Sequence, residues 1–585
     1  MIRLTFAASA LALLTACSQT ADPVDPITPE PGDETVEAAV GLVLPLPADT
    51  TAEITADDLR QRTKILADDA FEGRAPGAEI GEKTADWIAA EMERIGLSPA
   101  GENGTWFQTV GMVEQTLDEN ASNLTFSGGV SGEAFPATLR ENAVLWTKKQ
   151  DRDEGSWEDS ELVFVGYGVV APEYGWNDYD GLDVEGKTVV MLVNDPGYAR
   201  EDELFKGKAM TYYGRWTYKF EEAGRQGATG AIVIHETAPA SYGWDVVANS
   251  WSGSQADLVR ADEGANRTLF EGWISEETAR SLFAEAELDF SEMKRIAKAE
   301  GFQPVDMGNL TTSGQFVQSI ETKESRNVAG MLTGNTAPDE YTLFTAHWDH
   351  LGKKTDAREG EPTQDFYRDD IFNGAVDNAT GTAALLEIAE SMKGQDLDRS
   401  ALFLAVTLEE SGLLGSAFYA ENPTVPMNQI VAGLNMDAML PIGRTKDMVV
   451  VGYGASELED LLKAHLDGTD RVILPDPNPE AGYFYRSDHV SFAKKGVPML
   501  YADGGSDLRE GGLAAGKAAA DTYRAQAYHK PMDEYSEDWN FAGMQEDVTA
   551  LYTVGLSIAQ SSDWPTWYPG NEFEAIREAS LAERE

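Results

Sequence analysis

The chain has 585 residues, with 45 Lys+Arg against 100 Asp+Glu, a formal charge of −55 and one cysteine. This balance excludes a nucleic-acid binder, which needs lysine and arginine stripes along phosphate, and adhesion to anionic lipid by charge. A single cysteine excludes an internal disulfide and a Cys-rich zinc site, while 42 % hydrophobic and 9 % aromatic residues suffice for a sizeable core.

Met1-Ile2-Arg3 leads into an apolar run from Leu4 to Leu14. One positive residue before a short apolar stretch has the shape of a secretory signal. The run is shorter than the roughly 20 residues a bilayer span needs. It ends in Leu14-Thr15-Ala16-Cys17, which resembles a bacterial lipobox. That resemblance implies a signal over residues 1–17, lipidation of Cys17 and a lipid anchor in a membrane of the cell envelope, periplasmic or cell-surface. Residues 18–50, rich in Pro, Asp, Glu and Thr, read as an extended acidic tether.

Residues 51–145 open the globular body. ADDLRQRTKILADDAF and EKTADWIAAEMERIGL carry apolar residues at i, i+3, i+4 spacing and predict two helices, with the turn-rich FEGRAPGAE between them. Residues 146–308 have a different texture. ELVFVGYGVVAP and GKTVVMLVND are β-branched runs bounded by Gly and Asp, and TYKFEEAGRQGATGAIVIH reads as a helix leading into a strand. This stretch predicts an inserted β-rich domain. From residue 309 to 585 the pattern is strand, loop, helix. TLFTA (342–346), ALFLAVT (401–407), IVAGLN (430–435) and VPMLYA (497–502) have buried-strand length, and GTAALLEIAESMK (381–393) and ELEDLLKAHLD (457–467) are helical. The predicted fold class is α/β, a mostly parallel central sheet flanked by helices.

In such sheets function gathers at the carboxyl ends of the strands. TLFTA is followed by His347-Trp348-Asp349-His350, ALFLAVT by Leu408-Glu409-Glu410, and IVAGLN by Met436-Asp437. Asp377 precedes the helix at Gly381, and His489 precedes VPMLYA. Each is unremarkable alone in a chain with 100 acids. Together, histidines and carboxylates without cysteine suit a borderline-hard divalent ion such as Zn²⁺. A carboxylate shared by two ions gives a two-metal hydrolytic site.

AHWDHLG, DDIFNGAVDNATGTAALLEIA, TLEESGLLGS, NMDA and RSDHVSFAKKGVP resemble, in order, the five metal-site motifs of the co-catalytic zinc peptidases of clan MH, and within it family M twenty-eight. The resemblance covers about residues 326–535 and extends to FEGRAPG. The insert resembles a protease-associated domain. The resemblance implies two Zn²⁺ ions, one held by His347, Asp377 and Asp437 and the other by Asp377, Glu410 and His489. It implies Glu409 as general base, Asp349 as orienting partner of His347, and peptide substrates. Tyr485, and His529 in YHKPMDEY, are candidates to stabilise an oxyanion or contact substrate. Asp488 is a possible supporting acid, and His350, His235 and His465 are expected outside the metal set. The family often has two acids before the asparagine of the bridging loop, and here the first is Val376.

The implied activity is that of an extracytoplasmic dizinc exopeptidase, an aminopeptidase first. A carboxypeptidase of the glutamate carboxypeptidase type shares the metal site but needs positive residues, in which this chain is poor. A receptor-like binding protein on the same fold is the third reading.

Overall fold

The structure, a computed structural model, describes residues 42–200, 202–353 and 370–584. The signal, Cys17, most of the tether and most of the charged loop Lys353–Arg368 lie outside the described residues. Among the described residues no helix is long and apolar enough to cross a membrane.

The two helices predicted at the start of the body are present. α1 (Ala56–Leu66) begins where the Thr55 hydroxyl accepts the Asp58 N–H at 3.0 Å, with Asp57 and Asp58 in its first turn. Both features satisfy the free amides of a helix start. α2 (Glu79–Ile95) ends at Gly96, whose φ of 92° favours glycine. The chain before α1 already belongs to the body. Leu42, Val43, Leu44 and Leu46 pack against the main core, and the Thr50 hydroxyl accepts from Arg62 and Arg94. The stretch expected as tether up to residue 50 is therefore folded from residue 42, because its leucines have core to bury in.

The central sheet contains β1 (Phe107–Leu117), β2 (Val305–Leu332), β3 (Ala337–His347), β4 (Arg399–Val406), β5 (Ile430–Asn435), β6 (Asp447–Val450), β7 (Val472–Pro475) and β8 (Met499–Gly504). Their order is β1-β2-β4-β3-β5-β8-β6-β7. The four central strands β4, β3, β5 and β8 are parallel. The four apolar runs predicted as strands are these four, each within a few residues. Both faces of the parallel core are covered. Phe344, Ala346, Phe403 and Ala405 turn to α1, α2, α3 (Gly381–Met392) and α4 (Ala542–Ala559). Leu343, Tyr341, Leu402 and Leu404 turn to the opposite face with Tyr419 and Phe492. Strands buried on both faces read as continuous apolar runs, which is why they were visible in the sequence.

The insert has its own sheet. Its strands run in the order 135–137, 123–127, the first part of β2, 154–164, 188–192, 230–235, 270–275 and 143–146. Apolar cores lie on both sides of it. The helix and strand read from TYKFEEAGRQGATGAIVIH are Trp216–Arg225 and Gly230–His235. The boundaries differ from those expected at 146 and 308. Strands 123–127 and 143–146 already pair within the insert sheet. β2 is one strand of 28 residues that pairs with insert strands up to Val317 and with β1 from Gln318 onward. A single strand joins the two sheets, so no linker composition marks the junction.

Candidate metal centre

Parallel pairing sets the first donors side by side. His347, the last residue of β3, is in register with Val406, the last of β4, and Thr345 is in register with Asn435, the last of β5. The turns leaving β4 and β5 carry Glu409, Glu410 and Asp437 next to it. Asp377 comes from the turn that enters α3. That turn starts at Gly374, whose φ is 54° and where a Cβ would stand 2.2 Å from the Asp377 carbonyl oxygen and 2.5 Å from the His350 ring. Only glycine fits there.

Asp377 divides the cluster. Its Oδ1 lies 3.3 Å from His347 Nε2, which in turn lies 3.2 Å from Asp437 Oδ1. Its Oδ2 lies 3.2 Å from His529 Nε2, which lies 3.1 Å from Glu410 Oε2. His350 Nδ1 contacts the other oxygen of Glu410. His347, Asp377 and Asp437 form one group able to hold an ion, and His350, Asp377 and Glu410 another. Donors of one tetrahedral ion with bonds of about 2.0–2.1 Å stand about 3.3 Å apart. The spacings on both sides of Asp377 match that, so the nitrogen and oxygen donors fit a divalent ion such as zinc.

The donor loops are pinned by side chains outside the two donor groups. Buried Asp349 accepts the Glu409 N–H at 3.1 Å and the Glu410 N–H at 3.4 Å. Its own carbonyl faces His347 Nδ1 at 3.2 Å. Asp533 accepts the Val376 and Asp377 N–H groups at 3.0 and 3.1 Å. Arg74 donates to the carbonyls of Trp348 and Gly374, both at 2.8 Å, and of Asn373 and Leu66. The Asn378 amide donates to the Met436 carbonyl at 3.1 Å, and the Ser487 hydroxyl donates to Asp437 at 2.5 Å. Arg74 and Asp533 sit inside FEGRAPG and YHKPMDEY, segments noticed in the sequence without these roles.

The Glu409 carboxylate comes within 4.0 Å of His347 Nε2. Burial, with the neighbouring carboxylates Glu410, Asp437 and Asp488, holds its pKa well above the usual range. Burial also pushes Asp349 up to about 7.

Two assignments from the sequence change. His489 is not among the donors. It opens the short helix His489–Ala493, with its ring edge-on to Phe484 at 4.6 Å and beside Tyr501 at 5.2 Å. Buried among aromatic rings, it is held neutral, with a pKa pushed down to about 3. The second histidine position is filled by His529, expected only as an oxyanion or substrate contact, and by His350, expected outside the metal set. Tyr485 donates its hydroxyl to Glu572, so it is engaged elsewhere. Asp488 is buried within electrostatic reach of Asp437 and Glu410. His235 is bonded to the Tyr242 carbonyl in the insert, and His465 lies on the helix Leu458–Leu466.

Residues 327–553 match the model of Peptidase family M28. Aminopeptidase NAALADL1 of Rattus norvegicus is 31 % identical over 131 residues, covering 21 % of this chain and 15 % of that protein. Aminopeptidase Y of Saccharomyces cerevisiae is 23 % identical over 218 residues, covering 36 % of this chain and 37 % of that protein. The matches thus span well under two thirds of these relatives. Among solved structures, an aminopeptidase from Aneurinibacillus sp. strain AM-1 has 16 % identity and a TM-score of 0.48, over 88 % of this chain and 96 % of that one. Every donor of the cluster falls within residues 327–553, and this segment is similar to peptidase family M28, the family to which the five motifs point.

Proposed function

We propose that the chain is an extracytoplasmic dizinc exopeptidase that hydrolyses the N-terminal bond of peptides. The observation that carries this reading is the division of Asp377, with one oxygen toward His347 and Asp437 and the other toward His529 and Glu410. His347, Asp377 and Asp437 would hold one ion, and Asp377, Glu410 and His529, with His350 adjacent, the other. Bound there, the ions would polarise the scissile carbonyl and acidify a water.

The remaining work falls to this chain's side chains. Glu409 borders the cluster without being needed as a donor. Its raised affinity for protons suits a base that takes a proton from water and later delivers it to the leaving amine. Asp349 keeps Glu409 and Glu410 on their separate tasks by holding both backbone N–H groups. The acidic surface favours peptides with a cationic terminus. The signal-like segment before Cys17 supports a place in the cell envelope with a lipid anchor.

The reading is tested with an aminoacyl-anilide and its N-acetylated form. Cleavage of the free-amine substrate, lost on chelation and restored by zinc, is expected. Cleavage of the blocked substrate alone overturns the aminopeptidase assignment.

A further inference from the structure

Of the histidines at the cluster, two have the spacing of donors to one ion. His347 Nε2 stands 3.3 Å from Asp377 and 3.2 Å from Asp437, and His529 Nε2 stands 3.2 Å from Asp377 and 3.1 Å from Glu410. His350 differs. Its Nδ1 lies 2.5 Å from Glu410 Oε1, closer than the roughly 3.3 Å at which donors of one tetrahedral ion stand apart. That separation is a hydrogen bond. An ionised carboxylate only accepts, so Nδ1 carries the proton and has no lone pair to give a metal. Nε2 is buried and, among the described residues, has no hydrogen-bond partner. The hydrogen bond that holds the His350 ring is the one to Glu410.

The surroundings fix the ring for that contact. The His350 side chain is fully buried, and its backbone N–H donates to the Arg74 carbonyl at 3.2 Å. The ring lies against Gly374, where a Cβ would stand 2.5 Å from its Cγ. The His529 ring meets it edge-on, with centroids 5.8 Å apart.

The same division of oxygens occurs on the other side of Asp377. Asp437 turns Oδ1 to His347 and Oδ2 to the Ser487 hydroxyl at 2.5 Å. Ser487 in turn accepts from the Asn435 amide at 2.7 Å, which leaves its own proton for Asp437. Each outer carboxylate thus keeps one oxygen for the cluster and has the other claimed by a side-chain donor.

We infer that His350 and Ser487 are positioning residues, each setting the affinity for one ion of the pair by holding the outer oxygen of Glu410 or of Asp437. This rests on the two-metal reading above and deepens it, because the two ions become separately tunable. His350 acts on the ion that Asp377, Glu410 and His529 would hold, and Ser487 on the ion of His347, Asp377 and Asp437. A partner that orients a ligating side chain is typically worth about 10–100-fold in metal affinity.

The test is a zinc titration of the full metal-free chain against a chromophoric chelator, which resolves the two dissociation constants. His350→Phe should weaken one ion by about 10–100-fold and leave the other unchanged. His350→Asn, whose amide nitrogen occupies the place of Nδ1, should keep both affinities. Ser487→Ala should weaken one ion, and the double variant His350→Phe, Ser487→Ala should weaken both, since the two donors serve different carboxylates. Wild-type affinities in His350→Phe overturn the inference. So does an equal loss at both ions, which is what a general loosening of the fold would give. A loss in His350→Asn as large as in His350→Phe also overturns it, and makes His350 a ligand. Each of these results leaves the two-metal reading standing, whereas a wild-type chain that binds fewer than two zinc ions overturns that reading as well.

Discussion

His529 Nε2 lies 3.2 Å from Asp377 Oδ2, across the carboxylate from His347. These two residues are 152 positions apart in the chain, and their approach turns a three-donor site into a two-sided one. Replacing His529 with Ala should therefore lower zinc to about one ion per chain and reduce turnover at least a hundredfold. His489→Gln should retain the wild-type zinc content. Metal analysis of the two purified variants checks this, and a normal zinc content in His529→Ala would return the ligand role to another residue.

Arg74 holds both loops that flank the cluster. Its guanidinium satisfies carbonyls of Trp348, Asn373 and Gly374, the residues that follow His347 and precede Asp377. It is fully buried, and burial lowers its pKa to about 10. Arg74→Ala leaves these carbonyls unpaired, at about 1–3 kcal/mol each. We expect a loss of at least about 3 kcal/mol in urea denaturation, with a fall in zinc affinity. An Arg74→Lys variant that folds with wild-type stability would show that a single charge, rather than the fork of donors, is what the site needs.

How far the sequence discloses this arrangement depends on where each residue sits. The four parallel strands are legible because both of their faces are buried. His347, Glu409, Glu410 and Asp437 follow those strands directly, and Asp377 opens the helix after them, so topology alone places them near one another. His529 follows the exposed helix Gly512–Gln526, outside the strand alternation. RSDH, by contrast, stands just before an apolar strand and imitates a donor position. Nothing local to His489 reveals that Phe484 and Tyr501 enclose it. The end of the insert is hidden for a similar reason, since β2 passes from one sheet to the other at Val317–Gln318 without a turn residue.

Arg62 joins α1, α2 and α3 through Glu91, Glu387 and Glu390. Its side chain, like those of Glu91 and Glu387, is fully buried. Removing one partner of such a network leaves buried carboxylates without a counter-charge, a loss of about 3–5 kcal/mol. Arg62→Met should show that loss at pH 7. Burial already raises Glu387 to about 7, so acid neutralises the stranded carboxylates and the deficit should shrink at pH 5. Denaturant titrations at the two pH values measure it, and an equal deficit at both would contradict the electrostatic origin.

His489 makes an acid-sensitive contribution of its own. Burial among aromatic rings pushes its pKa down to about 3 in the fold, against an ordinary value of 6.5. Below 6.5 the unfolded chain takes up the proton first, so stability is full above that pH and declines as pH falls toward 3. At pH 5 the loss from this one group is about 2 kcal/mol. His489→Phe abolishes the proton uptake. The stability difference between wild type and variant should therefore shift by about 2 kcal/mol from pH 7 to pH 5, in favour of the variant. A constant difference would mean that the imidazole is not held neutral.

The central claim is that Glu409 moves the proton while its neighbours hold the metal. Glu409→Gln keeps the shape and the donor set and removes the base. The direct measurement is zinc stoichiometry together with kcat on the same preparation. Two zinc ions per chain with kcat reduced by about a thousandfold or more is the predicted result. Two zinc ions with near wild-type kcat would contradict it.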